Sequence, residues 1–374
     1  MVRNIWFKIG IAAIIGILAW NTIHEFLILS IFFIPLWMHS ESRLEAYLVA
    51  LSYYLGASNG LILGSSQYFS SPIYHGFGLW IGANALIATV FYLTWTANRN
   101  YRFLSLIGAV FILSLPPVGV FGWANPLTAS GLLFPGLGFT GIFLTFILAL
   151  SLSNLVPFPR LTAISLTLAG TVSQFYSKSP QPPKNWRSME TNFNLIDKNN
   201  PLGRFVKNGD LIDFANNSTS PTILFGEALF ESSNANKQYW KNKLRPGVDV
   251  FIGATQNQEN TIVKINKESV ETLYSQRQPM PLGMWNPFLE SSFKARWFDQ
   301  PSINYDQMTV APFICYESFL IWPILHSMIY EPDLIVSIGS LWWARNTKAL
   351  TTYRNIVNSW SRLFSVPALI AINR

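Results

Sequence analysis

The chain has 374 residues, half of them hydrophobic and only 12% charged, with a formal net charge of +7. That length suggests two domains, and so apolar a composition excludes a protein that is soluble throughout. The basic balance does not point to nucleic acid. Six of the 26 Lys and Arg lie among apolar runs before residue 176, which leaves 20 against 16 acidic residues scattered without a basic stripe over the remainder.

Residues 1–175 read as a transmembrane domain of about seven helices, with apolar runs at 5–21, 23–38, 45–64, 76–96, 103–123, 129–152 and 160–175. A span needs about 20 apolar residues. The third to sixth runs meet that length, and the first two are short, with only 21–25 in which to turn. The seventh reads either as a span or as an interfacial helix. No small-residue cleavage site follows Trp20, so the first run is an uncleaved anchor rather than a signal peptide. Arg3, Lys8, Arg43, Arg99, Arg102 and Arg160 all fall on alternate connections, and 21–25, 65–75 and 124–128 carry no Lys or Arg. The positive-inside rule then puts the N-terminus in the cytoplasm. Seven spans place residues 176–374 on the face opposite the cytoplasm, and six would keep them cytoplasmic. Trp20, Trp37, Trp95 and Trp123 lie near span ends, as interfacial anchors do. Glycines such as those from Gly131 to Gly141 suit close helix packing.

Residues 176–374 have the composition of a globular domain. A Pro-rich exit at 176–187 reads as an extended linker. Strand-like runs follow at 221–225 and 248–254, with a helix-like stretch at 228–244 between them. Residues 260–266 and 269–274 alternate like a hairpin. Then come a strand at 308–314, a helix at 319–330, a strand at 334–338, a helix at 347–364 and a strand at 368–372. Alternating strands and helices predict an α/β domain with a largely buried sheet.

Cys315 is the sole cysteine, so it has no disulfide partner within the chain. It ends the 308–314 run and precedes a helix-like stretch. A helix N-terminus there would favour the thiolate. A small buried hydrophobe is the alternative role for a lone cysteine. Glu227 ends the 221–225 run. Open α/β sheets place ligands at strand carboxyl ends, and a Glu there can act as general base for a Cys nucleophile. The alternative for Glu227, and equally for Glu317, is an acid in a helix's first turn. His24, His39, His75 and His326 are far apart and show no metal-ligand spacing. No phosphate-binding glycine loop occurs, and neither a metal nor a cofactor is expected.

Three segments carry a resemblance: Leu224-Phe-Gly-Glu-Ala228, Ile314-Cys-Tyr-Glu317 and Val336-Ser-Ile-Gly-Ser-Leu-Trp-Trp343. They resemble the nitrilase, or carbon–nitrogen hydrolase, superfamily, and in particular its membrane branch, the apolipoprotein N-acyltransferases. The resemblance implies a multi-span α-helical membrane domain, 1–175, followed by a nitrilase-like α-β-β-α sandwich, 176–374, with a Glu–Lys–Cys triad. The segment Pro116 to Pro135 looks like the conjugal-transfer TraB proteins, which implies a role in plasmid conjugation. By the same resemblance Glu227 and Cys315 are catalytic, and Glu317, Trp342 and Trp343 contribute to substrate binding. A membrane lipid is then the expected acyl donor, and an exported protein or pilus subunit the expected acceptor.

The pattern departs from the family at the lysine. Its counterpart here is Tyr274-Ser-Gln-Arg277, which puts Gln276 at the Lys position, and Met284 stands where a Glu is expected. Three readings follow: Arg277 supplies the charge from the next position, Gln276 donates a neutral hydrogen bond to a slower enzyme, or catalysis is lost and binding kept. Adjacent strand residues point to opposite faces, which argues against Arg277 unless the segment is irregular. The family's domain also continues beyond the counterpart of Arg374, so the sandwich is expected to be incomplete. Two functions are compatible with these residues: a thiol acyltransferase or amidase, and a catalytically silent scaffold of a conjugation apparatus.

Overall fold

A computed structural model describes residues 2–177, 179–193 and 201–374. Lys178, in the expected linker, lies outside the described residues, as does the side chain of Arg3. The chain comprises a helical N-terminal region followed by an α/β domain. It forms two compact units. One contains Met1–Pro180, Phe319–Ile324 and Asn346–Val366; the other contains Gln181–Ser318, Leu325–Arg345 and Pro367–Arg374.

The first unit holds α1 (Val2–Asn21), α2 (Phe33–Met38), α3 (Arg43–Ala57), α4 (Gly60–Tyr68), α5 (Ile73–Thr94), α6 (Arg102–Ser114), α7 (Ser130–Leu133), α8 (Gly138–Leu152) and α9 (Pro159–Tyr176). Among the described residues, α5 alone is long and apolar enough to cross a membrane. The number rises to three if the bent pairs α3 with α4 (61°) and Pro126–Leu133 with α8 (114°) each form one span. The described helices that meet this length and composition are thus fewer than the seven apolar runs of the sequence, and local chemistry says why. Ser58 and Asn59 interrupt the third run before Gly60. Pro116 and Pro117, which lack amide donors, follow α6 at once. The second run begins as a 3-10 stretch, His24–Phe32.

Small residues let the helices of this unit touch. A Cβ on Gly16 would lie 2.1 Å from the Tyr53 carbonyl oxygen, and one on Gly56 would lie 2.4 Å from that of Ala13. Helices α1 and α3 thus meet backbone to backbone, as glycine-rich membrane helices do. Trp20 Nε1 donates to Tyr53 Oη (2.8 Å), which donates to the Ala124 carbonyl (3.1 Å). At one end Lys8 Nζ pairs with Glu45 (2.7 Å) and donates to the His39 carbonyl (2.8 Å). Arg102 Nη1 donates to the Met38 carbonyl (2.5 Å). Two cations thereby cap the C-terminus of α2, where the helix dipole is negative.

The second unit holds β1 (Trp186–Ser188), α10 (Pro201–Asn217), β2 (Thr222–Leu224), α11 (Asn234–Lys243), β3 (Asp249–Gln256), β4 (Glu259–Ile265), β5 (Val270–Ser275), β6 (Ile303–Tyr305), β7 (Met308–Ile314), β8 (Leu334–Ser340) and β9 (Ala368–Asn373). Helix α12 (Ile321–Met328) divides between the units. Helix α13 (Ala349–Phe364) clusters with the first unit. There Ser359 Oγ and Asn355 Nδ2 donate to the carbonyls of Thr128 (2.5 Å) and Thr22 (3.1 Å).

Two sheets form in the second unit, in the orders β1-β2-β3-β4-β5 and β6-β7-β8-β9. Strands β1, β2 and β3 run parallel, and β3, β4 and β5 antiparallel. In the second sheet β7, β8 and β9 are parallel, with β6 antiparallel at the edge. The sheets pack face to face through Leu224, Phe251, Ile262, Tyr274, Val310, Ile314, Val336 and Ile338. Leu211, Ile212 and Ala215 of α10 and Trp240 of α11 cover the outer face of the first sheet with Ile223, Val250 and Ile252.

The close approach of α1 and α3 has a direct test. Gly16→Ala forces backbones apart and should lower the thermal midpoint of the detergent-solubilised protein, by about 1–3 kcal/mol in stability. Gly10→Ala, where a Cβ meets nothing within 4 Å, should leave the midpoint unchanged.

Candidate active site

Glu227 and Cys315 each leave a strand at its carboxyl end. Glu227 lies three residues beyond the end of β2, and Cys315 follows β7 directly. Because the sheets stack, the two turns meet. The Cys315 thiol and the Glu227 carboxyl are hydrogen-bonded.

Local backbone geometry builds each half of this contact. Cys315 has φ +50°, a left-handed conformation that a residue with a Cβ rarely adopts and that concentrates at functional sites. It begins a 3-10 turn, Cys315–Phe319. The turn is held by Glu317, whose Oε2 accepts from the Ile314 amide (2.8 Å) and whose Oε1 accepts from the Arg277 amide (2.6 Å) and Tyr274 Oη (2.8 Å). On the other side, Gly253 makes room for Glu227: a Cβ there would lie 2.5 Å from the Glu227 Cα. The Glu227 amide donates to the Gly339 carbonyl (3.4 Å), which ties the two sheets together at the site.

The Glu227 side chain is 4% exposed. Its Oε2 accepts from the Ser340 amide (2.9 Å) and its Oε1 from Asn260 Nδ2 (2.8 Å). Asn260 Nδ2 also donates to Gln276 Oε1 (3.0 Å), and Gln276 Nε2 donates to the Ile314 carbonyl (2.8 Å), one residue before the cysteine. Thus Gln276, where the resemblance led to the expectation of a lysine, lies in the hydrogen-bonded shell of the Glu–Cys pair. Met284 Sδ is 3.8 Å from Asn260 Nδ2.

Arg277 lies elsewhere. Strand β5 ends at Ser275, and the next two side chains diverge. Arg277 is fully buried. Its Nε donates to Tyr274 Oη (2.9 Å) and lies 3.6 Å from Glu317, its Nη2 donates to Ser327 Oγ (3.0 Å), and its Nη1 contacts His326 Nδ1 (3.3 Å). Arg277 and Glu317 therefore form an internal ion pair beneath the cysteine turn, and among the described residues no cation is placed against the Glu227 carboxyl. Trp342 and Trp343 sit in the 3-10 turn after β8, both partly exposed, with Trp343 Nε1 donating to the Ser340 carbonyl (3.1 Å).

Electrostatics overturn the expectation of a resting thiolate. Burial, and then the neighbouring Glu227, push the Cys315 thiol well above its ordinary range, against backbone hydrogen bonds from Ser340 and Tyr316. No long helix starts at the cysteine to oppose this. Burial also raises Glu227 to about 7. The resting pair is a thiol beside a carboxyl poised near neutrality, and one proton passes between them when the base is ionised. Cys315 retains part of its surface open to solvent. Among the described residues no group of three or more His, Cys, Asp or Glu is placed to hold a metal.

Asn260 and Ser340 escaped the sequence reading. Asn260 carried a signal in principle: it opens the alternating run 260–266 and is the cross-strand neighbour of Gln276. The Gln276 amide donates to its carbonyl (2.8 Å).

The pH dependence of stability follows from the raised carboxyl. Folded Glu227 keeps its proton up to about pH 7, whereas the unfolded side chain loses it near its ordinary 4.5. Its contribution to stability is therefore complete at low pH and lost as pH rises through 7, up to about 3 kcal/mol. Glu227→Gln should raise the thermal midpoint relative to the parent at pH 8 and have little effect at pH 5.

No family model matches the chain. It is 31% identical over 391 residues to a conjugal transfer protein TraB of Agrobacterium fabrum, covering 96% of this chain and 90% of that one. It is 29% identical over 377 residues to a probable conjugal transfer protein TraB of Sinorhizobium fredii, covering 96% of both. Solved structures that match include a mutant of a Nesterenkonia amidase from the nitrilase superfamily (TM-score 0.31, 11% identity). That match covers 41% of this chain and 64%, less than two thirds, of the amidase. Another is a CN-hydrolase superfamily protein from Xanthomonas campestris with an arsenic adduct in its active site (TM-score 0.34, 11% identity), covering 50% of this chain and 74% of that one. By identity and coverage, the chain belongs to the TraB family of conjugal transfer proteins.

Proposed function

We propose that this is a nitrilase-like membrane protein of conjugation that transfers or hydrolyses acyl groups through a cysteine thioester. The observation that carries the reading is the hydrogen bond between the Cys315 thiol and the Glu227 carboxyl, on a cysteine held at positive φ.

The chemistry follows from the geometry. Glu227 as carboxylate takes the thiol proton while the sulfur attacks an ester or amide carbonyl. The tetrahedral intermediate collapses, the leaving alcohol or amine takes the proton from Glu227, and a thioester remains. An amine or water then attacks the thioester carbonyl with Glu227 as base, and the sulfur leaves and recovers its proton. Backbone N–H groups of Tyr316 and Ser340 lie at the sulfur and supply fixed dipoles. The role of a triad lysine falls to the neutral amide of Gln276, and losing one charged donor costs about 10²–10³ in rate. Arg277 acts through the turn, by anchoring Glu317. Trp342 and Trp343, partly exposed beside Ser340, suit a wall for the substrate.

The membrane reading rests on α5 and on the apolar helices around it. Lys8 and Arg102 meet at one end of the helical unit, as positive-inside orientation requires of residues on one side. A multi-pass inner-membrane topology with the α/β unit in the periplasm makes a membrane lipid available as acyl donor and an exported protein or pilus subunit as acceptor. The names of the relatives support conjugation as the setting.

One observation favours a silent scaffold: among the described residues, the groups acting on the Glu–Cys pair are neutral amides and a second carboxylate, with no cation. The two readings separate in one experiment. Purified protein is incubated with phospholipid vesicles and analysed by intact mass. The enzyme reading expects an acyl adduct that Cys315→Ala abolishes and Glu227→Gln reduces at least about 100-fold, with parallel loss of plasmid transfer. No adduct, together with unimpaired transfer by the double variant, would leave the scaffold.

A further inference from the structure

Strands β3, β4 and β5 place Thr255 opposite Asn260, and Thr261 opposite Ser275. One step on, Asn260 stands beside Gln276. Side chains at directly opposed positions share a face, so three polar side chains run in a row across the sheet. The row is fully connected. Thr255 Oγ1 donates to Asn260 Oδ1 (2.9 Å), Asn260 Nδ2 donates to both Glu227 Oε1 and Gln276 Oε1, and Gln276 Nε2 donates to the Ile314 carbonyl. That carbonyl fixes which way the Gln276 amide faces, because the reverse orientation would set two oxygens together. The Glu227 carboxylate, which only accepts, does the same for Asn260 and leaves the Asn260 oxygen to accept from Thr255. Asn260 is 1% exposed and Gln276 2%, so water does not compete for the bonds that Asn260 makes to Glu227 and Gln276, nor for that of Gln276 to Ile314.

We infer that Asn260 is a positioning residue: its amide, held by Thr255 and shared with Gln276, aims the Glu227 carboxylate at Cys315. The inference rests on the Glu–Cys reading and extends it. Asn260 supplies one of two non-sulfur donors to the carboxylate, the Ser340 amide being the other. The titratable groups facing Glu227 are Cys315 and Glu317, and Glu317 is paired with Arg277. A donor on the carboxylate favours its ionised form. Removing Asn260's donor must make Glu227 harder to ionise, and replacing it with a carboxylate must do so more.

The single cysteine makes the test specific, since any thiol reagent reads Cys315 alone. The full chain in detergent is alkylated with iodoacetamide, and the rate is followed by intact mass between pH 5 and 10. The parent should show a rise near neutral pH from ionisation of Glu227, before the thiol's own ionisation at higher pH. Glu227→Gln should abolish the neutral rise. If it does not, the Glu–Cys reading itself fails. If Glu227→Gln abolishes it, Asn260→Ala should move it about one pH unit upward, Asn260→Asp further still, and Thr255→Val by a smaller step in the same direction. Thr255 is an exposed strand residue, so its near-isosteric variant tests the row even where an Asn260 variant does not fold. A neutral rise that stays in place in Thr255→Val and in every folded Asn260 variant would overturn the inference, whatever their thermal midpoints.

Discussion

The contact between one thiol and one carboxyl depends on two sheets being held in register at a single end. Glu227 comes from the five-stranded sheet and Cys315 from the four-stranded one, 88 positions apart in the chain. Their meeting needs the shared hydrophobic core between the sheets and the backbone bond from Glu227 to Gly339. It also needs Gly253 and Gly226, where a Cβ would lie 2.5 Å from the Glu227 Cα and 2.9 Å from the Asn373 amide respectively. Packing thus delivers two buried acids to one place, and desolvation then decides their protonation. Both hold their protons more tightly than they would in water. A pair in that state is inert until a substrate arrives, and becomes nucleophilic by transferring one proton over one hydrogen bond.

The second carboxylate has a different task. Glu317 accepts from three donors and pairs with a fully buried Arg277. An ion pair so enclosed is costly to break, because removing one partner strands the other. It serves to hold the turn that keeps Cys315 at positive φ. Two glutamates near one cysteine are therefore divided by environment. One sits among neutral donors and can change its protonation, and the other is locked to a cation.

Much of this was legible in the residues. The strands at 308–314 and 334–338 and the hairpin 260–274 have strong period-two or continuous apolar patterns, and all are present. Glu227 and Cys315 could be paired because both punctuate apolar runs. What could not be read was short or cross-strand. Strands β1 and β6 have three residues each, too few for any period to show. Helix α10 is polar along much of its length and contains Gly203 and Gly209, which hide a buried face of Leu211, Ile212 and Ala215. Asn260 acquires its place only once the register of β4 against β5 is known. A register irregularity at Ile262/Val263 puts that register beyond simple alternation. In the helical unit, hydropathy located the apolar runs but not the bends, which depend on where Ser, Asn, Gly and Pro release the helix.

The hydrogen bond between Cys315 and Glu227 has its own spectroscopic signature, because one cysteine gives one S–H stretching band. Infrared spectra of the full chain at neutral pH should show that band broadened and displaced to lower wavenumber, and Glu227→Ala should return it to the position of a free thiol. A band of the same position and width in both proteins would mean that the carboxyl does not hold the thiol.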